Sequence, residues 1–294
     1  MNSTRAADID YIDHAVLLTK DLDALSERYQ ALGFTLSPPS PHQLSDRPGG
    51  PLTATCTANR CALFGESYLE LLGIVDETAP DPWRVRPVAE ERQGFRGLVF
   101  GCGDAEVVSA RLAASGLSSS GVLSLAREVD TPEGTRTMRA SSVHVDHRSG
   151  GWLGAASHLD PEYVHQARYL RHANGATRLD GVLVAVDDGE LDDEVTRYSL
   201  ILDAHPEVHG PRHVFELRTG RVEIVPASAF GDVLPGETSP ALPSFAALSV
   251  AVADLTAARN LVEGNGIATR SVPAGFLVAS ADACGVSVRF VAND

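Results

Sequence analysis

Glu70 stands in the middle of the run Tyr68-Leu69-Glu70-Leu71-Leu72, where a carboxylate buried without a partner would cost several kcal/mol. His14 lies in a second apolar run, Ile12-Asp13-His14-Ala15-Val16, and strand alternation puts it on one face with Ile12 and Val16. His158 ends a third, Ala155-Ala156-Ser157-His158-Leu159. Two imidazoles and one carboxylate can hold a divalent cation on one side and leave its other positions to water, oxygen or a chelating substrate. Each residue also has a plainer reading. A strand histidine is commonly a satisfied core residue, Glu70 could pair with Arg60 or Arg96, and His158 could cap the turn before Asp160-Pro161.

An internal repeat would bring the three together. Four apolar strands end in an aspartate followed by a helical pattern, with His14, Gly97, Gly181 and Ala247 each seven places before Asp21, Asp104, Asp188 and Asp254. A carboxylate there accepts the unpaired amide protons of a helix's first turn. After Asp21, the residues Leu22, Leu25, Tyr29 and Leu32 recur at helical spacing, and Gly33 closes the helix. Gly116 and Gly266 stand in the same relation to Asp104 and Asp254, whereas the third copy has Leu200. Three strand candidates follow the first helix, Phe34 to Ser37, Ala54 to Phe64 and Tyr68 to Ile74, so the unit is βαβββ. The loop-rich stretch Ser37 to Pro51 could cover a site mouth.

The fold class is therefore α+β, with four βαβββ modules in two paired, incompletely closed barrel-like sheets. Residues 1–170 form an N-terminal pair with the metal site and residues 171–294 a degenerate, structural pair. Lining up the last strands puts Glu70, His158, Glu223 and Arg289 at one position; Gly97 supplies no ligand. In the second half the set becomes Gly181, Glu223, Ala247 and Arg289, in which an ion pair between Glu223 and Arg289 would replace a metal.

Other histidines compete. His144 and Asp146 share a strand face, but the neighbouring Arg148-Ser149-Gly150-Gly151 reads as a hairpin turn, which favours a solvated edge. His205, His209 and His213 are spaced four apart, yet Pro206 and Gly210-Pro211 rule out a regular helix.

Composition narrows the partners. Of 294 residues 44% are hydrophobic and 21% charged, ordinary for a folded protein with an ample core. The net charge of -15 disfavours nucleic acid and anionic membrane surfaces, leaving a small molecule as the expected ligand. No signal peptide or spanning run is visible, which points to the cytoplasm. Cys56, Cys61, Cys102 and Cys284 form no Cys-x-x-Cys pair and read as core thiols.

The stretches Ile12 to Val16, Thr57 to Phe64, Tyr68 to Ile74, Ser157 to Glu162 and His172 to Ala176 resemble glyoxalase-like proteins of the vicinal-oxygen-chelate superfamily. The resemblance implies a metal held by first-strand and last-strand residues of paired modules, positions that His14, Glu70 and His158 match, and substrates that chelate through neighbouring oxygens. It also places Asn59 and Arg60 on an adjacent strand, where they would orient a polar substrate, and gives His172 and Asn174 turn hydrogen bonds. The absence of a second glutamate departs from glyoxalase I, and a two-histidine, one-carboxylate set is more similar to the extradiol dioxygenases, which use ferrous iron. The reading is a metal-dependent enzyme of dioxygenase-like or lyase/isomerase chemistry with Fe(II) first and Mn, Zn or Ni as alternatives. Tyr68 and His42 are the candidate general bases, and a monomer or homodimer is expected. The alternative is a metal-free small-molecule binding or antibiotic-sequestering protein, against which stands an aromatic content of 6%.

Overall fold

In the computed structural model, which describes residues 8–145, 151–239 and 241–293, the chain repeats one pattern four times. The first module is β1 (Ile9–Thr19), α1 (Leu22–Ala31), β2 (Ser40–Leu44), β3 (Thr53–Phe64) and β4 (Ser67–Ile74), followed by the linking helix α2 (Val85–Glu91). The second is β5 (Gly94–Cys102), α3 (Ala105–Ala114), β6 (Ser119–Thr131), β7 (Gly134–Val145) and β8 (Trp152–His158), after which comes the short α4 (Pro161–Val164). The third is β9 (Ala176–Val186), α5 (Leu191–Leu202), β10 (Glu207–His209), β11 (Arg212–Glu216) and β12 (Arg221–Pro226), trailed by α6 (Phe230–Val233). The fourth is β13 (Ser244–Val252), α7 (Leu255–Gly264), β14 (Thr269–Val272), β15 (Gly275–Val278) and β16 (Ser287–Ala292).

Three of the four strand-end aspartates do what their position suggests. Asp21, Asp104 and Asp254 accept the amides of Ala24, Glu106 and Ala257 and start α1, α3 and α7. Those helices run on into Gly33, Gly116 and Gly266, all at positive φ. The third module departs from this. Asp188 accepts the amide of Ser228 instead, α5 begins only at Leu191, and Asp203 takes the left-handed end position that glycine holds elsewhere.

The first two modules form one closed barrel in the order β1-β4-β3-β2-β6-β7-β8-β5. The last two form an open eight-stranded sheet, β10-β11-β12-β9-β13-β16-β15-β14. Closure of the barrel depends on the stretch expected to lie over a site mouth. Within it β2 pairs with β3 on one side and β6 on the other, so it is wall rather than cover, and Phe34 to Ser37 is not a strand. One apolar core joins the halves: the Phe95 and Phe245 rings stack 4.9 Å apart, and Phe34 lies 6.1 Å from Phe290. Arg218 bridges the same boundary, bonding Asp10 and Glu66 at 2.7 Å each. Cys56, Cys61 and Cys102 are buried as expected, while Cys284 is exposed.

The ladders also correct the repeat alignment. Val16 pairs with Glu70, Val99 with Gly154, Leu183 with Glu223 and Ser249 with Arg289, each first-strand partner lying two residues past His14, Gly97, Gly181 or Ala247. Glu70, Gly154, Glu223 and Arg289 are thus equivalent. His158 lies beyond Gly154 at the end of β8, on the same strand face as Gly154 and Ala156.

Candidate functional site in the first barrel

The lumen of the closed barrel is a cavity with about 790 Å³ of unfilled space, its mouth included. Its walls are mostly apolar, with Trp83, Trp152, Val99 and Leu125 among them. Polar groups enter from several strands: His14, Glu70, Asn59, His42, Arg127 and His158. Strand alternation explains most of these placements, since residues opposite one another across a ladder face the same way.

At His14 the alternation is broken. A register shift between Ile12 and His14 sends Ile12 into the core shared with the second half, while His14 and Val16 face the lumen. The expected common face of Ile12, His14 and Val16 is therefore wrong for Ile12. The irregularity buries Asp13 completely beside His14. Its Oδ2 lies 2.6 Å from His14 Nδ1, and both of its oxygens lie within 3.1 Å of His158 Nε2. The Tyr11 hydroxyl donates to Asp13 at 3.3 Å, and the Tyr11 ring occupies space that any side chain at Gly101 would need. Burial pushes the Asp13 carboxyl up, but the charge of His158 and the bonds from both histidines outweigh it and hold the group far below the usual range. Asp13 went unnoticed in the sequence, although an acidic residue between Ile12 and His14 in an apolar strand was a visible signal.

With Nδ1 held by Asp13, the other nitrogen of His14 faces Glu70, its Nε2 being 3.6 Å from Oε2. The second oxygen of Glu70 accepts from Asn59 Nδ2 at 2.6 Å and lies 3.5 Å from His42 Nε2. His42 is steadied from behind by Thr57 Oγ1, 3.1 Å from its Nδ1, and its Nε2 has no hydrogen-bond partner. Burial lowers the His42 imidazole to about 4, with Glu70 opposing and Arg127 and His14 adding to the effect, so it is neutral near pH 7. Burial raises the Glu70 carboxyl, yet His14, His42, Asn59 and Arg127 together bring it below its ordinary value. Tyr68 stacks on His14 at 4.5 Å and is pushed well above its usual range by burial and then by Asp13 and Glu70. A phenol so hard to ionise is a poor base.

Of the residues expected at a site, His14, Glu70, Asn59, His42, Tyr68 and His158 all line this cavity. Arg60 does not, and donates instead to the Ser37 carbonyl at 2.9 Å. Neither Arg60 nor Arg96 is the partner of Glu70, since Arg96 donates to Glu91 at 2.8 Å. His158 caps no turn: the Asp160 beyond it pairs with Arg139. His144, expected at a solvated edge, lines the cavity with its ring 4.4 Å from Trp83, whereas Asp146 and the turn at 148–150 fall outside the described residues. His172 bonds the Thr35 amide and the Leu63 carbonyl at 3.0 and 2.9 Å, a structural role, though these bonds tie the linker to the first module and are not the turn hydrogen bonds expected.

The side chains present fit a divalent cation in kind. Two imidazole nitrogens, of His14 and His42, face the two oxygens of one carboxylate, and a second carboxylate orients one imidazole from behind. The set is wider than a finished centre: among the described residues, no three His, Cys, Asp or Glu side chains are gathered closely enough to grip an ion. His158 has its Nε2 engaged by Asp13, and its Nδ1 is buried without a hydrogen-bond partner.

Residues 12–199, more than half of the chain, match the glyoxalase-like domain family. The chain belongs to that family, within the vicinal-oxygen-chelate superfamily. No curated protein matches it in sequence. Among solved structures it is similar to a hypothetical protein from Staphylococcus aureus, with 12% identity over 97% of this chain and 100% of that one and a TM-score of 0.64. It is also similar to a 4-hydroxymandelate synthase mutant from Streptomyces coelicolor, with 16% identity over 92% of this chain and 78% of the other and a TM-score of 0.53. A fusion of a xylose isomerase-like TIM barrel with a 4-hydroxyphenylpyruvate dioxygenase shares 12% identity over 91% of this chain, with a TM-score of 0.60; only 40% of the fusion is covered. At these identities the likeness is one of fold. No helix among the described residues is long and apolar enough to cross a membrane.

Proposed function

We propose that the protein is a divalent-metal-dependent enzyme acting on a small oxygen-chelating substrate in the first barrel, with His14, Glu70 and His42 as the ligands. The observation that carries this is the facing of His14 Nε2 and His42 Nε2 onto the two oxygens of Glu70 in a mostly apolar lumen. Fe(II) suits two imidazoles and a carboxylate best, with Mn, Zn or Ni as alternatives. When bound, such an ion would supply Lewis-acid polarisation of a chelated oxygen or, as iron, activation of dioxygen. The likeness in fold to a fusion that includes a 4-hydroxyphenylpyruvate dioxygenase supports the second course.

The residues themselves have distinct tasks. Asp13 fixes the His14 ring through Nδ1 so that Nε2 stays turned to Glu70. His158 holds Asp13 from the other side and thereby acts through it. Asn59 fixes one Glu70 oxygen, and its own amide oxygen is buried without a partner. The mostly apolar wall lowers the local dielectric constant, which strengthens the polar contacts inside.

The test is metal content of anaerobically reconstituted protein, with Glu70→Ala, His42→Ala and His158→Ala beside the wild type. Near-stoichiometric metal in the wild type, lost in Glu70→Ala and His42→Ala and retained in His158→Ala, is expected. Loss in His158→Ala with retention in His42→Ala would restore His158 to the ligand set. Negligible metal throughout would move the function to metal-free small-molecule binding, the reading that the width of the donor set favours.

A further inference from the structure

Arg127 is the single arginine or lysine on the described wall of the barrel cavity. It lies on β6 between His42 of β2 and Met138 of β7, its neighbours across the two ladders, and all three face the lumen. The residue is only 5% exposed. Among the described residues its guanidinium makes no hydrogen bond, and no carboxylate lies within 4.0 Å of it. Glu70 is the one carboxylate on the same wall, and it is already engaged by Asn59, His14 and His42. A buried guanidinium whose nearest negative charge acts on it only at a distance gains from a counter-charge in contact. Its planar fork of donors matches a carboxylate better than any neutral group.

We propose that the cavity takes a compact aromatic monocarboxylate, with the carboxylate paired to Arg127 and the ring held between apolar walls that include Trp83 and Trp152. The inference rests on the reading of the barrel as a substrate site and adds the charge and shape of its ligand. A second negative group on the ligand would meet Glu70 across the lumen, which selects for a single charge. The indoles favour a flat apolar body through stacking and area burial.

The chain has two tryptophans, and both line the cavity, so their fluorescence reports occupancy directly. Phenylacetate and its uncharged amide, phenylacetamide, are titrated in the presence of chelator into wild type, Arg127→Met and Glu70→Ala. Wild type is expected to prefer the acid by at least ~30-fold, and Arg127→Met to bring the two within about threefold while leaving amide binding unchanged. Glu70→Ala should keep the preference or enlarge it. An acid preference that survives in Arg127→Met overturns the proposal, as does a wild type that binds neither probe or both equally. A preference seen only when metal is added, and lost in Glu70→Ala but not in Arg127→Met, would assign the carboxylate to the ion and leave the proposed function standing. If circular dichroism shows Arg127→Met unfolded, Arg127→Gln gives the same readout.

Discussion

Glu70 and Glu223 occupy equivalent positions in the two halves, each two ladder steps past the first-strand residue that anchors its module. Glu70 looks across a cavity at two imidazoles 3.6 and 3.5 Å away. Glu223 is closed off by arginines: Arg289 Nη2 at 2.7 Å, Arg212 Nε at 3.3 Å and Arg221 Nε at 3.6 Å, with Arg289 held in turn by Ser249. The space on that face of the second sheet is filled as well, by Phe230, Val233 and Leu234 from α6 and the turn after it. One ladder position thus serves an adjustable polar site where the sheet closes around space, and a fixed ion pair where side chains fill the concavity. The difference lies in what surrounds the carboxylate, since one that faces imidazoles across a cavity keeps an open side for a further partner, while one enclosed by guanidinium groups does not.

The largest effect that tests this contrast is in the second half. Glu223→Ala strands the Arg289 guanidinium in the core and should cost roughly 3–5 kcal/mol in urea denaturation, with Glu223→Gln/Arg289→Met recovering most of the loss. Glu70→Ala, facing the cavity, should cost under about 1.5 kcal/mol by the same measurement. Equal losses at the two positions would erase the distinction between them.

A smaller effect separates the helix starts. Asp254→Ala, which frees the Ala257 amide, should lower stability by about 1 kcal/mol. Asp188→Ala should lower it by less, because Asp188 caps no α-helix and its bonds, to the Ser228 amide and hydroxyl and the Ala227 amide, lie at the surface. A larger loss at Asp188 would show that the third module leans on that contact as heavily as the others do on their caps.

The smallest is a pH effect at Glu237, which ties the segment after α6 to Ser280, Ser287 and Arg270 at 3.0, 2.9 and 3.1 Å. Burial raises this carboxyl, but the bonds from Ser280 and Ser287 and the charge of Arg270 bring it below its usual value. A depressed carboxyl contributes stability that is present above about pH 5 and fades as the pH falls through the folded-state value. Glu237→Gln should therefore melt a few degrees lower than wild type near neutrality, and the two curves should converge as the pH falls through the folded-state value. A gap that stays constant with pH would mean that the charge plays no part.

Much of this was legible in the residues because it depends on local chemistry. Asp21, Asp104 and Asp254 before apolar periodic runs mark helix starts, and Gly33, Gly116 and Gly266 mark their ends, since only short-range hydrogen bonds and φ preferences are involved. The ionisable positions inside apolar strands at 14, 70, 223 and 289 were equally visible, because burial of charge demands a partner whatever the fold. The facing of Glu223 and Arg289 followed from the repeat.

Register and closure were settled elsewhere. The sequence repeat sets His158 at the position of Glu70, but the hydrogen-bond ladder puts Gly154 there, and the slip is hidden because residues at intervals of two share a face. The irregularity at Asp13 cannot be read from one strand, as it exists only relative to the partner strand β5. His42 and Arg127 became wall residues of one cavity only because β2 bridges β3 and β6 and closes the barrel. The amino-acid sequence determined which charges must be compensated and where helices begin. The tertiary structure decided which groups compensate them, because contacts between residues far apart in the chain depend on strand pairing and on whether a sheet closes around space.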